Sequence, residues 1–313
     1  MDNNQVASAV DNTRRGLCFA LVAILIWTGF ILMSRAGSLA SLGMTDMLAI
    51  RFGTALLLLA PLAWRYRQQL INVRILILGL FGGLGYGLFV YSGFARAPAT
   101  HAALLLPGLM PVLVAVAAVI LAGERRPRMV WIGILISSVG VAVLLLETLL
   151  ESSRYWVGDL CFVGACLCWA IYTALLRTWA LEPWVATIGV VVVTALLYLP
   201  VYVLWLPSGL AQASWSMLLS QSLYQGVLAT IVQMICYVRA VQLLGATRVG
   251  ALMALVPVLV GGLAVPLFGE SLSMGLVVSI LLVLFGSVIG NLPQGRRLQS
   301  HRELPATPLS GRC

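Results

Sequence analysis

The chain is 313 residues long, 61% apolar and only 9% charged, with a formal net charge of +9, whereas soluble domains carry roughly 25% charged residues. That composition excludes an ordinary soluble protein. It excludes a nucleic-acid binder too, because all 19 basic residues are Arg and nearly all sit in short gaps between apolar runs, as in loops that collect positive charge on the cytoplasmic side of a membrane.

Crossing the hydrocarbon takes about 20 apolar residues per helix, and ten such runs follow one another: 17–35, 45–63, 75–95, 101–121, 129–147, 157–177, 184–206, 221–242, 247–268 and 274–291. The expected fold is an all-α integral membrane protein of ten transmembrane helices. Most connections are short, so no extramembrane domain is expected, and only residues 1–15 and the stretch after Pro293 are polar enough to be floppy ends. Arg14 and Arg15 before the first run resemble the start of a secretory signal. The run is as long as a full span, however, and is copied later in the chain, so it is expected to stay in the fold. With the amino terminus in the cytoplasm, 15 of the 19 Arg fall on the inner side or its adjoining helix turns; Arg35, Arg96 and Arg154 fall outside and Arg51 lies within a helix. This bias predicts a bacterial inner-membrane protein with both termini cytoplasmic. Cys161, Cys166 and Cys168 lie close together but no His or further thiol flanks them, so they read as small apolar helix residues.

The chain repeats itself. Gly16, Trp27 and Arg35 recur with the same gaps as Gly158, Trp169 and Arg177. Tyr91, Pro111, Gly123, Glu124 and Gly140 recur as Tyr237, Pro257, Gly269, Glu270 and Gly286, all displaced by 146, and Pro111-Val112-Leu113-Val114 returns intact as Pro257-Val258-Leu259-Val260. The expected organisation is a tail 1–15, a first five-helix repeat 16–147, a second 157–291 and a tail 292–313. An odd number of helices per repeat turns the second half upside down. Inverted repeats are a recurrent transporter design, since exchanging the conformations of two similar halves opens a cavity to alternate sides.

Each half resembles the EamA domain of the drug/metabolite transporter superfamily: an early Trp in the first helix, an Arg in the second, and a fourth helix with Pro-Val and a Gly-Glu thirteen residues past the Pro. Here these are Trp27, Arg51, Pro111-Val112 and Gly123-Glu124, then Trp169, Pro257-Val258 and Gly269-Glu270. The resemblance covers about residues 16–291 and implies ten helices around a central cavity, with export of amino acids or other small metabolites. The small four-helix multidrug relatives carry a membrane-embedded Glu in their first helix. Here no carboxylate lies between Leu17 and Ser34, and their mode of coupling is not expected.

Candidate site residues follow from polarity within apolar runs. Arg51 lies about six residues inside helix two, roughly 9 Å along it; it is either an anchor for a substrate carboxylate or a structural Arg that snorkels or pairs with Asp46. His101 opens helix four and either senses protonation, binds substrate or is a partly solvated helix-start residue. Gln221, Gln225, Gln233 and Tyr237 fall on one side of helix eight and mark either the transport path or interhelical hydrogen bonding. Trp27, Tyr86, Tyr91, Trp169 and Tyr172 are candidate aromatic contacts to substrate. Pro107 and Pro111 in helix four, with Pro257 and Pro266 in helix nine, remove backbone donors within the membrane, giving hinges or static kinks. Gly79, Gly83 and Gly87, four apart, have the spacing of close helix packing rather than of a dinucleotide loop.

Without Lys there is no Walker-type loop, and neither His-Glu-x-x-His nor Gly-x-Ser-x-Gly occurs. No cofactor or metal is expected; the expected partners are a small solute and the lipid bilayer. The leading function is export of a small metabolite by alternating access. A lipid-linked substrate flippase is the rival; a receptor is weakened by the short loops, and an embedded enzyme by the lack of a pair of acid/base groups expected at matching buried depth. All ten Asp and Glu are expected in tails, loops or near helix ends. This favours a zwitterionic, anionic or neutral solute over a lipophilic cation, and leaves His101 or Asp159 as peripheral groups for proton coupling.

Overall fold

The computed structural model describes residues 3–40, 42–123, 127–151, 155–244, 249, 252–253, 255–271 and 273–290, all helix, turn or irregular chain with no strand among them. The main helices are α1 (Asn3–Leu39), α2 (Met44–Arg65), α3 (Val73–Phe94), α4 (Ala99–Ala122), α5 (Arg128–Glu151), α6 (Trp156–Thr178), α7 (Pro183–Trp205), α8 (Trp215–Leu244), α9 (Val256–Phe268) and α10 (Met274–Gly290). The first eight are long and apolar enough to cross a membrane; α9 and α10 are equally apolar but shorter, at 13 and 17 residues. Large side chains such as Leu57, Val203, Trp205 and Phe285 stand well exposed on the outside of the bundle, a surface that water would not tolerate at this extent and that lipid covers.

Helix ends follow from local chemistry. The Asp46 carboxylate reaches back to the Gly43 N–H at 2.9 Å and starts α2. Both α4 and α9 stop at a left-handed glycine, Gly123 (φ 63°) and Gly269 (φ 66°), the conformation that ends helices and that a side chain disfavours. The glycines of the repeated Gly-Glu pair are thus helix terminators; Glu124 lies outside the described residues.

Packing follows the repeat. α1 lies on α8 and α9 as α6 lies on α3 and α4; α2 lies on α8 as α7 lies on α3; α2 meets α7 and α5 meets α10. Exchanging the halves maps this set onto itself. The mates α5 and α10 run antiparallel: Gly133 faces Gly286 and Gly290, Gly140 faces Ser279, and Glu147 faces Gly275. A methyl group on Gly133 would come within 2.4 Å of the Gly286 carbonyl oxygen, so these backbones approach as closely as small residues permit.

Three features depart from the sequence expectation. The stretch 1–15 is not a floppy end where described, because α1 is already helical at Asn3; no Pro or Gly interrupts the chain before Gly16. Helix nine is not one continuous span. Residues 249, 252 and 253 are helical, Leu255 is in a turn, and α9 begins at Val256 with Pro257 in its first turn. Proline lacks an N–H to donate and disfavours helical backbone just before it, so this is where the helix yields. By contrast α4 runs unbroken through Pro107 and Pro111. Finally, α3 and α8 each contain a π-helical stretch, Leu80–Gly85 and Ser222–Val232, at corresponding places in the two halves.

Candidate functional site

A network of buried polar side chains is built where α8 meets α1, α2 and α3. Gln225, fully buried, donates from Nε2 to Ser34 Oγ (3.0 Å) and Gln221 Oε1 (3.3 Å), and accepts at Oε1 from the Tyr91 hydroxyl (3.0 Å). Gln221, also fully buried, donates to the Met33 carbonyl at 2.7 Å. Thr230 Oγ donates to the Gln225 carbonyl at 2.7 Å, five residues back, and accepts from Arg51 Nε at 3.1 Å. The π-helical turn makes this possible: its i to i+5 pattern widens the ring of backbone and turns successive side chains through a smaller angle than an α-helix does. Gln221 and Gln225 therefore face α1 and α3, whereas Gln233 is half-buried and Tyr237 is 39% exposed. The expected continuous stripe is broken by this change of helical pitch.

Arg51 does not pair with Asp46. That carboxylate is taken by the Gly43 and Gly209 N–H groups and the Tyr202 hydroxyl, which tie the start of α2 to the α7–α8 connection. The guanidinium instead lies over the Phe30 and Phe52 rings, at 5.2 and 5.6 Å from their centroids, with Tyr86 and Tyr91 nearby. Its Nη1 is buried with no hydrogen-bond partner among the described residues. A planar cation in a low-dielectric setting with an unmet donor is poised for a carboxylate or another strong acceptor.

Tyr86 leads to an aromatic group, its ring 5.3 Å from Trp169, which lies 5.2 Å from Tyr172. The structure thus gathers Arg51, Tyr91 and Gln225 into one network and Tyr86, Trp169 and Tyr172 into a second group touching it. Among the described residues, Trp27 and Gln233 share no hydrogen bond or ring contact with either, and Gln233 Oε1 and Thr28 Oγ are buried without hydrogen-bond partners. Tyr237 lies toward the opposite end, near Arg177. Pro111 and Pro266 are exposed on the outer surface, Pro107 is half-buried and Pro257 is buried. Ser34 and Thr230 escaped sequence reasoning, since hydroxyls are common in membrane helices and only the fold shows which ones meet a partner.

His101 is elsewhere, in a cleft of about 350 Å³ at the end of the bundle where α4 starts. Its Nδ1 lies 2.9 Å from Asp159 Oδ1 on α6, and its ring packs edge-on to Tyr155. Asp159 is fully buried. The lack of a buried acid/base pair, expected from the separate positions of these residues, is therefore corrected. Beside the pair, Glu270 accepts from the Ala99 and Thr100 N–H groups at 2.8 and 3.0 Å and from Arg35 Nε at 3.3 Å. The repeated motif glutamate, where described, thus caps the start of the other half's fourth helix, at the positive end of its dipole.

The model of the EamA-like transporter family matches residues 14–146 and again 156–292. The chain belongs to this family. An EamA-family chain is a multi-pass membrane protein of the drug/metabolite transporter type, with a small solute and the bilayer as its partners. One solved structure, described only as a crystal structure of a protein, is 23% identical, aligns over 93% of this chain and 99% of its own, and gives a TM-score of 0.60, a likeness of fold. No curated protein matches in sequence. The family's two matched blocks contain every residue of both polar regions described above except Tyr155.

Proposed function

We propose that this EamA protein exports a small zwitterionic, anionic or neutral metabolite, amino-acid-like in character, across a bacterial inner membrane by alternating access. The observation that carries this reading is Arg51, held inside the bundle by Thr230 of the other half with Nη1 unmet among the described residues. A carboxylate would meet Nη1, the amide and hydroxyl of Gln225 and Tyr91 would rearrange around neutral polar groups, and the Tyr86, Trp169 and Tyr172 rings would contact the apolar part. Ten spans in two inverted five-helix repeats, 16–147 and 157–291, are the architecture proposed for this motion. Three things support it: the antiparallel run of α5 and α10, the exchange symmetry of the helix contacts, and the short but apolar α9 and α10. The break before Pro257 and the missing backbone donors at Pro107 and Pro111 of α4 serve as the paired hinge.

Among the described residues, Arg14, Arg15, Arg65, Arg67, Arg74, Arg128, Arg177 and Arg239 lie at or near one end of the bundle, which by the charge rule faces the cytoplasm. Reporters fused after Arg67 and Arg128 are expected to read cytoplasmic, and one after Ser208 periplasmic. The opposite pattern overturns the orientation. The transport reading is tested by efflux of labelled amino acids, organic acids and lipophilic cations from cells overproducing the protein. Faster efflux of one of the first two groups supports it, and no change in any group overturns it.

A further inference from the structure

At the end of the bundle opposite the Arg-rich one, a fully buried carboxylate on α6 meets an imidazole on the first turn of α4. Asp159 is in the first turn of α6, where the helix dipole favours an anion. Its Oδ1 lies 2.9 Å from His101 Nδ1, and its Oδ2 is buried with no hydrogen-bond partner among the described residues. A carboxylate only accepts, so Nδ1 carries the proton of the neutral ring, and Nε2 holds the single free lone pair. The ring lines the cleft, where the other titratable and charged groups facing it among the described residues are Arg35 from α1, Glu147 from α5, Tyr155 beside α6, and Glu270 from the connection after α9.

We propose that the His101–Asp159 pair is the proton-binding site that couples this transporter to a proton gradient; the proposal rests on the transport reading above. A proton from the cleft bonds to His101 Nε2, while the Nδ1 proton stays on its bond to Asp159. The pair goes from a net charge of −1 to zero, and deprotonation of Nε2 returns it to −1. In a low-dielectric site that difference is large, and it falls on a moving part. His101 is one and two residues beyond Thr100 and Ala99, whose N–H groups are latched to Glu270, and six residues before Pro107 in the helix proposed to bend. Occupancy of Nε2 thus biases the same turn that the Glu270–Arg35 latch holds, and a proton entering from this side accompanies solute leaving from the other. Coupling through a carboxylate in α1 is unnecessary in this scheme.

The test uses the full-length protein in liposomes, with a mixture of tritiated amino acids as probe and two measurements: solute exchange at equal pH, and accumulation into acid-inside vesicles with and without a protonophore. For one proton exchanged per neutral solute, a gradient of one pH unit supports about tenfold accumulation. Wild type is expected to show both exchange and protonophore-sensitive accumulation. Asp159→Asn and His101→Gln are expected to keep exchange within about twofold while accumulation falls to equilibrium. Gradient-driven accumulation in either variant overturns the proposal, as does equal loss of exchange and accumulation in both, which marks a merely structural pair. Wild-type exchange with no response to the gradient overturns coupling alone; absence of wild-type exchange overturns the transport reading and coupling with it.

Discussion

The two π-helical stretches occupy corresponding places in α3 and α8, yet the chain uses them for opposite purposes. In α3 the stretch and the residue before it are rich in glycine. A methyl on Gly83 would come within 1.9 Å of Thr194 Oγ, one on Gly82 within 2.5 Å of the Tyr172 ring, and one on Gly79 within 2.4 Å of Val193. In α8 the stretch carries Tyr224, Gln225 and Thr230 and supplies hydrogen bonds to α1, α2 and α3. The same backbone irregularity therefore lets one helix come close and the other present polar groups. Both repeats keep the widened turn, while only the second fills it with chemistry, so a substrate would meet an asymmetric interior within a symmetric frame.

That contrast can be broken first from the packing side, where the largest effect is expected. Gly83→Val drives a branched side chain into Thr194 and Val190, an overpacking that costs about 1–3 kcal/mol or more. The expected result is loss of transport together with a clearly lowered unfolding temperature in detergent. Wild-type stability would show that α3 does not need its glycine there. From the chemical side, Gln225→Leu should separate the two properties. It strands the Tyr91 hydroxyl at a site where one interhelical bond is worth about 0.6–2 kcal/mol, so stability should drop modestly while solute exchange falls by about tenfold. If exchange and stability fall in proportion, α8 is as structural as α3 and the contrast fails.

A smaller effect is expected at the latch. Glu270→Gln keeps an acceptor for the Ala99 and Thr100 N–H groups but loses the charge facing Arg35 and the α4 dipole, a difference of about 0.3–1 kcal/mol. Solute exchange should change by no more than severalfold, with little change in unfolding temperature. The smallest effect tests the hinge asymmetry. Pro257→Ala allows α9 to continue through Leu255 and should slow exchange, whereas Pro111→Ala, in a helix that is already unbroken, should slow it less. Equal rates for both variants and wild type would make the prolines static.

Much of this was legible in the sequence, for identifiable reasons. Apolar runs and their internal repetition are first-order properties of composition, so the helices and the two halves could be read directly, as could Arg51, the one Arg deep in an apolar run. Gly269-Glu270 was visible as a pattern, but not as a left-handed terminator whose glutamate crosses to Ala99, because nothing local records a contact between residues 171 apart. His101 and Asp159 are each legible as polar residues, but 58 residues separate them and nothing local joins them. The π stretches were invisible because an apolar run carries no strong periodicity whose slip would reveal an extra residue in a turn. Gly87 shows the consequence: spaced four from Gly83, it packs on Leu48 of α2 rather than on α7, where Gly79 and Gly83 pack.

The central claim is that Arg51 faces a substrate carboxylate, and transport of charged and uncharged probes by one pair of proteins tests it most directly. Wild type and Arg51→Gln would be reconstituted in liposomes and assayed with amino acids, organic acids and lipophilic cations. Wild type is expected to carry amino acids or organic acids, and Arg51→Gln to cut this by tenfold or more while unfolding at nearly the wild-type temperature. Robust transport of lipophilic cations, undiminished in Arg51→Gln and not shared by the other probes, would contradict it.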